Sequence, residues 1–110
     1  MKKFLSLLGI TLLLTGCSSK DDELLSILDE DNYIIVDVRT NEEYNEGHLV
    51  GALNIPYDLI DENVDLDTDK TILVYCRSGQ RSKIAKATLL NLGFDVYDMG
   101  AFEKIDLPKE

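Results

Sequence analysis

Thr71-Ile72-Leu73-Val74-Tyr75-Cys76-Arg77-Ser78-Gly79-Gln80-Arg81-Ser82 decides the reading of this chain. Thr71 to Tyr75 is an apolar, β-branched run of a length suited to a buried strand. Lys83 to Leu92 then reads as an amphipathic helix. Ile84, Ala87 and Leu90, with Ala85, Leu89 and Leu92, form its expected apolar face, and Gly93 is its C-terminal cap. Cys76 therefore falls where a strand turns into a helix, beside two arginines and no acid. A cysteine nucleophile works as a thiolate, and helix N-termini and nearby cations lower its pKa from about 8.5. Gly79 permits a positive φ, so that successive backbone N–H groups can curl into an anion-binding nest. The expected site is a small positive bowl around one sulfur, suited to a small anion that reacts with a thiolate.

Upstream, Tyr33 to Val38 is nearly all apolar and β-branched, as in a strand buried on both faces of a parallel sheet. Thr40 or Asn41 can cap a short helix through Glu42, Glu43 and Tyr44, which Gly47 stops. Ala52 to Ile55 reads as a short strand closed by Pro56. Leu59 and Ile60 suggest a helical turn, and Asp61 to Lys70 is a charged surface connection. Before all these, Glu23 to Glu30 has Leu24, Leu25, Ile27 and Leu28 at helical spacing. Downstream, Phe94 to Met99 reads as a last strand, and Leu107-Pro108 as the end of the ordered part. Strands alternating with helices predict an α/β fold, a mostly parallel sheet of four or five strands with helices on both faces. In such sheets, sites lie beyond the carboxyl ends of the strands. Asp37-Val38-Arg39 and Cys76 both leave strands there.

The first residues are of another kind. Met1-Lys2-Lys3 is basic, and Phe4 to Leu14 is apolar but too short to span a bilayer, which takes about 20 residues. This pattern fits a secretory signal peptide, the alternative being a buried helix of the fold. Leu14-Thr15-Gly16-Cys17 resembles the lipobox of bacterial lipoproteins. That resemblance implies cleavage after Gly16 and a lipid on Cys17. The expected organisation is therefore a signal peptide at 1–16, a lipidated cysteine and tether at 17–22, and one domain at 23–108. Otherwise Cys17 is a free or disulfide-bonded thiol. With Cys17 lipidated, Cys76 is the only free thiol, which favours a chemical role in an oxidising compartment.

Of the 110 residues, 11 are basic and 21 acidic. Loss of residues 1–16 removes two lysines and no acid, leaving a net charge of about −12. Such a domain has no broad basic surface for nucleic acid. Anionic headgroups would repel it, so membrane attachment would come from the lipid. One free cysteine, one histidine and no C-x-x-C do not make a zinc ligand set. A Cys76–His48 protease pair finds no support, because a helix terminus and two arginines already offer activation.

The motifs carry a family resemblance. Cys76 to Ser82 resembles the active-site loop of rhodanese-like sulfurtransferases. Asp37-Val38-Arg39 resembles the family's D-V-R, Glu43 to Pro56 its E-[FY]-x-x-G-H-[IL]-x-G-A-x-N-[IL]-P segment, and Leu92 to Gly100 its L-G-[FY]…G-G close. The resemblance implies a cofactor-free enzyme of rhodanese-like three-layer fold. Cys76 would be catalytic, taking a sulfane sulfur from an anionic donor such as thiosulfate as a persulfide. Arg77, Ser78, Gly79, Gln80 and Arg81 would bind the donor and the persulfide. Cyanide, a thiol or a protein thiol would accept the sulfur. Asp37 and Arg39 would support the site, either as an ion pair or with Glu42 or Glu43 as partner of Arg39. His48 and Tyr75 read as structural. Cys76 and Arg81 bracket four residues, whereas cysteine phosphatases carry C-x5-R, a position held here by Ser82. The alternatives are a persulfide relay for a protein partner or a non-catalytic binding domain. Gly100-Ala101 in place of a double glycine, and the short segment before the first helix, leave the edge strand and terminal helix open. The expected location is lipid-anchored and extracytoplasmic.

Overall fold

A computed structural model of the chain describes residues 19–110. The expected signal peptide and the lipobox cysteine, Cys17, lie outside the described residues. Two compact units divide the chain between Glu30 and Asp31. The first contributes helix α1, Ser19–Glu30. It begins earlier than Glu23, so it takes in residues 19–22 of the expected tether. Nothing in the residue types Lys20-Asp21-Asp22 breaks a helix.

The second unit holds a four-stranded sheet, fully parallel, in the order β2-β1-β3-β4. The strands are β1 Tyr33–Asp37, β2 Leu53–Asn54, β3 Thr71–Cys76 and β4 Asp95–Ala101. Between them run helices α2, Asn41–Glu46, and α3, Gln80–Asn91. Short 3₁₀ turns follow at Tyr57–Leu59 and Phe102–Lys104. Strand β3 is central, and Ile72 to Cys76 are completely buried. Register places Asp37 beside Tyr75 and Cys76 beside Ala101. Val74 faces Asp98 while Tyr75 faces Gly100, so Met99 is an extra residue in β4. This bulge carries the strand past its expected end at Met99.

Three expectations are corrected. Helix α3 buries Ser82, Ala85 and Leu89, while Ile84 and Leu90 are about half exposed (52% and 49%). The sequence offers two apolar stripes, and the one in phase with Ser82 faces the sheet. The helix also starts at Gln80, bringing Gln80 and Arg81 into its first turn. Finally, the chain stays ordered beyond Pro108. Glu110 N–H donates to His48 O at 2.8 Å, His48 N–H donates back at 3.0 Å, and Leu49 bridges Lys109. An extended segment with free peptide groups on both sides finds a partner in this way.

Candidate active site

Cys76 is the last residue of β3, and its side chain is fully buried. The chain leaves it through Arg77 and Ser78 and reaches Gly79, the N-cap of α3, at φ 100° and ψ −9°. That left-handed conformation is easily adopted only by glycine. It turns the Gly79 N–H back onto the Cys76 Sγ at 3.0 Å, and the Ser82 N–H reaches the same sulfur at 3.3 Å. The Ser82 group is a first-turn helix amide, with no partner inside its own helix.

Burial alone would push the Cys76 thiol up. The Ser82 hydroxyl and the N–H groups of Ser82, Gly79 and Ser78 outweigh that and hold it below its ordinary value. Hydrogen bonds therefore lead the activation, from the loop and helix-start N–H groups that the sequence pointed to and from the Ser82 hydroxyl, which it did not. The Ser82 hydroxyl donates to Gly79 O at 3.1 Å. Its single proton cannot serve the sulfur at the same time, so stabilising a thiolate requires the hydroxyl to turn. Ser82 was not among the expected site residues. Its signal was there: a small hydroxyl in the third helical position after a nucleophile.

Arg81 lies in the loop but its guanidinium is engaged. Nη1 donates to Glu43 Oε1 at 2.8 Å and Nη2 to Oε2 at 3.1 Å. Glu43 also closes the capping box of α2, accepting the Thr40 N–H at 3.1 Å while its own N–H donates to Thr40 Oγ1. Arg81, with help from Thr40 and against burial, lowers the Glu43 pKa to about 2. Arg77 and Ser78 are exposed, as is Gln80. Arg77 makes no ion pair among the described residues and lines a cavity of about 220 Å³ with Glu43, Glu46, Phe102 and Glu103.

Asp37 and Arg39 form a buried ion pair beneath the loop. Asp37 accepts from the Arg39 backbone N–H at 2.9 Å, from Nε and from Nη2 at 2.6 Å. Tyr75 donates to Asp37 Oδ2 at 2.8 Å and accepts the Leu49 N–H at 3.0 Å. Burial, and then the Asp37 bond, push the Tyr75 hydroxyl well above its ordinary value. Arg39 also donates to Gly47 O and lies 4.4 Å from the Phe102 ring centroid. The arginine's carboxylate is thus Asp37; neither Glu42 nor Glu43 bonds it. The network ties β1 to β3 and to the His48–Val50 segment, on the side of the sheet opposite the cluster that holds Cys76. His48 stacks on Tyr44 at 3.8 Å and donates from Nδ1 to Tyr44 O.

Residues 20–105 match the model of the rhodanese-like domain, and residues 1–18 match the prokaryotic membrane lipoprotein lipid attachment site. The thiosulfate sulfurtransferase PspE of Escherichia coli is 36% identical over 78 residues, covering 67% of this chain and 75% of that protein. A tRNA uridine(34) hydroxylase of Yersinia enterocolitica is 32% identical over 82 residues, and this chain spans only 23% of its length. Among solved structures, an E. coli rhodanese with anions superposes with a TM-score of 0.64 at 32% identity, covering 71% of this chain and 96% of that one. With a parallel four-stranded sheet, a cysteine cradled at a strand end and a match across most of its length, the chain belongs to the rhodanese-like family.

Proposed function

We propose that the protein is a sulfurtransferase that carries a sulfane sulfur as a persulfide on Cys76. The observation that carries this reading is the pair of backbone N–H groups, Gly79 and Ser82, aimed at Sγ. They stabilise a thiolate, and the loop's further N–H groups can hold the outer sulfur of a persulfide. The thiolate attacks the outer sulfur of thiosulfate; an S–S bond forms, the donor's S–S bond breaks, and sulfite leaves with the electron pair. Cyanide or a thiol then takes the outer sulfur and returns Cys76 as thiolate. Such double displacement gives ping-pong kinetics.

Arg77 is the loop cation available to an anionic donor, and Arg81 shapes the loop through Glu43. The rhodanese solved with anions is consistent with such a donor. Asp37 and Arg39 act as supports, not reactants. The signal peptide ends at Gly16, Cys17 carries the lipid, and the domain stands outside the cytoplasmic membrane. The test is thiocyanate release from thiosulfate and cyanide, with the mass of the intact protein read after thiosulfate alone. Wild-type protein gains one sulfur and turns over; Cys76→Ser does neither. Equal activity in that variant would refute the reading.

A further inference from the structure

The cavity beside the loop has an uneven charge. Two of its ionised walls are neutralised from behind: Arg39 by Asp37 and Glu43 by Arg81. What remains facing the space is Arg77 on the loop and Glu46 and Glu103 across it. None of these three has an ion-pair partner among the described residues. Lys109 lies over the Phe102 ring at 5.1 Å but does not line the cavity. The unpaired side chains thus offer one positive and two negative charges. Once the donor's sulfite has left, this balance suits an acceptor with a negative sulfur and a separate positive group, which meets both ends. The volume, about 220 Å³, takes a molecule of a few heavy atoms.

We propose that the mixed-charge cavity formed by Arg77, Glu46 and Glu103 selects a small aminothiol, a thiol carrying an ammonium group, as the sulfur acceptor. This rests on the sulfurtransferase reading above and names its acceptor class; the cavity meets the nucleophile's loop at Arg77, and Cys76 itself does not line it. Arg77 draws the acceptor thiolate toward the loop, while Glu46 and Glu103 receive its ammonium. The thiolate attacks the outer sulfur of protonated Cys76 persulfide. A new S–S bond forms to the acceptor, and the old S–S bond breaks with its electron pair going to Cys76 Sγ. The outer sulfur keeps its proton, so the products are the acceptor persulfide and the Cys76 thiolate. No net oxidation occurs.

The experiment compares three acceptors after loading with thiosulfate: cysteamine (cationic), 2-mercaptoethanol (neutral) and 3-mercaptopropionate (anionic). Rates are expressed per thiolate present, and cyanide turnover is measured alongside. Cysteamine is expected to exceed 3-mercaptopropionate in kcat/KM by roughly tenfold, with the neutral thiol between, and salt should narrow the gap. In the double variant Glu46→Gln, Glu103→Gln the ranking should collapse to within about twofold. Cyanide turnover with no preference among the three thiols, or a preference that survives the double variant, overturns the acceptor proposal and leaves the sulfurtransferase reading standing. Absence of transfer to every acceptor, cyanide included, overturns both.

Discussion

The guanidinium of Arg81 and the carboxylate of Glu43 meet through two parallel hydrogen bonds, 2.8 and 3.1 Å long, across 38 residues of sequence. One partner sits in the first turn of the helix that follows Cys76, the other in the capping box of α2. The bond therefore fastens the nucleophile's loop to a separate element. Bidentate pairs of this kind combine charge with fixed geometry.

Glu43→Gln keeps a side chain able to close the capping box but removes the charge. Urea unfolding at neutral pH should show a loss of about 1–2 kcal/mol. With Arg81 released, the buried Cys76 should become easier to reach, and iodoacetamide should alkylate it several-fold faster. An unchanged or slower alkylation rate would show that the pair does not restrain the loop.

The same pair predicts a pH dependence. The folded pKa of Glu43, about 2, lies below its ordinary value of 4.5, so the unfolded chain binds the proton more readily. The pair's contribution is thus complete above about pH 5 and disappears as pH falls from there toward 2. The whole shift corresponds to roughly 3 kcal/mol. Partial exposure reduces that to the 1–2 kcal/mol order expected at neutral pH. The stability difference between wild type and Glu43→Gln, measured along an acid series, should shrink to nothing by about pH 2. A difference that stays constant would assign the stabilisation to something other than charge.

How much of this was legible in the chain follows from where the determinants lie. Cys76, Gly79 and the β3–loop–α3 order are local, and a strand run, a glycine and a helix pattern announce them. The parallel sheet followed from the alternation of apolar segments. The ion pair of Arg81 was not legible, because the loop arginine reads as a donor-binding residue and Glu43 lies 38 residues away; Glu42 and Glu43 read as partners of Arg39, whose carboxylate is Asp37. The expected apolar face of α3 holds at Ala85 and Leu89 and fails at Ile84, Ala87 and Leu90. Ile84, Ala87 and Leu90 are the more apolar set, yet Ser82 must face inward to bond the sulfur, and the helix rotates with it. The tail beyond Pro108 carries no periodic pattern, and its pairing with His48 depends on a distant backbone.

Ser82→Ala removes a hydroxyl that lowers the Cys76 pKa once it turns from Gly79 O to the sulfur, and leaves the backbone N–H in place. In wild type, the pH profile of Cys76 alkylation should have its midpoint below that of an ordinary thiol. The variant's midpoint should move upward, so that at neutral pH less thiolate is present and alkylation and sulfur loading both slow. The rates should converge well above the midpoint, where both thiols are ionised. Coincident profiles would assign the activation to the backbone alone.

Tyr75→Phe tests the buried network around Asp37. The phenol satisfies two buried groups, the Asp37 carboxylate and the Leu49 N–H. Phenylalanine preserves the ring and its packing against Phe102, but leaves the Leu49 N–H without a partner. Stranding a buried donor costs about 1–3 kcal/mol. Chemical denaturation should show a loss of that order, and hydrogen exchange at Leu49 should accelerate. Stability within a few tenths of a kcal/mol of wild type would mean that water replaces the hydroxyl.

Gly79→Ala separates conformation from space. A Cβ added at Gly79 would lie 3.9 Å from the Gly100 Cα, an ordinary contact, so nothing blocks the side chain. The cost is in the backbone, which holds φ at +100°. Forcing an L residue there costs about 1–2 kcal/mol, or else the loop relaxes toward negative φ. Relaxation would swing the Gly79 N–H off the sulfur, and with it one of the groups that keep the thiol acidic. The variant should therefore show both a lower unfolding free energy and an alkylation midpoint shifted upward. Loss of stability with an unmoved midpoint would mean that the strained turn is retained and that its N–H still reaches Cys76.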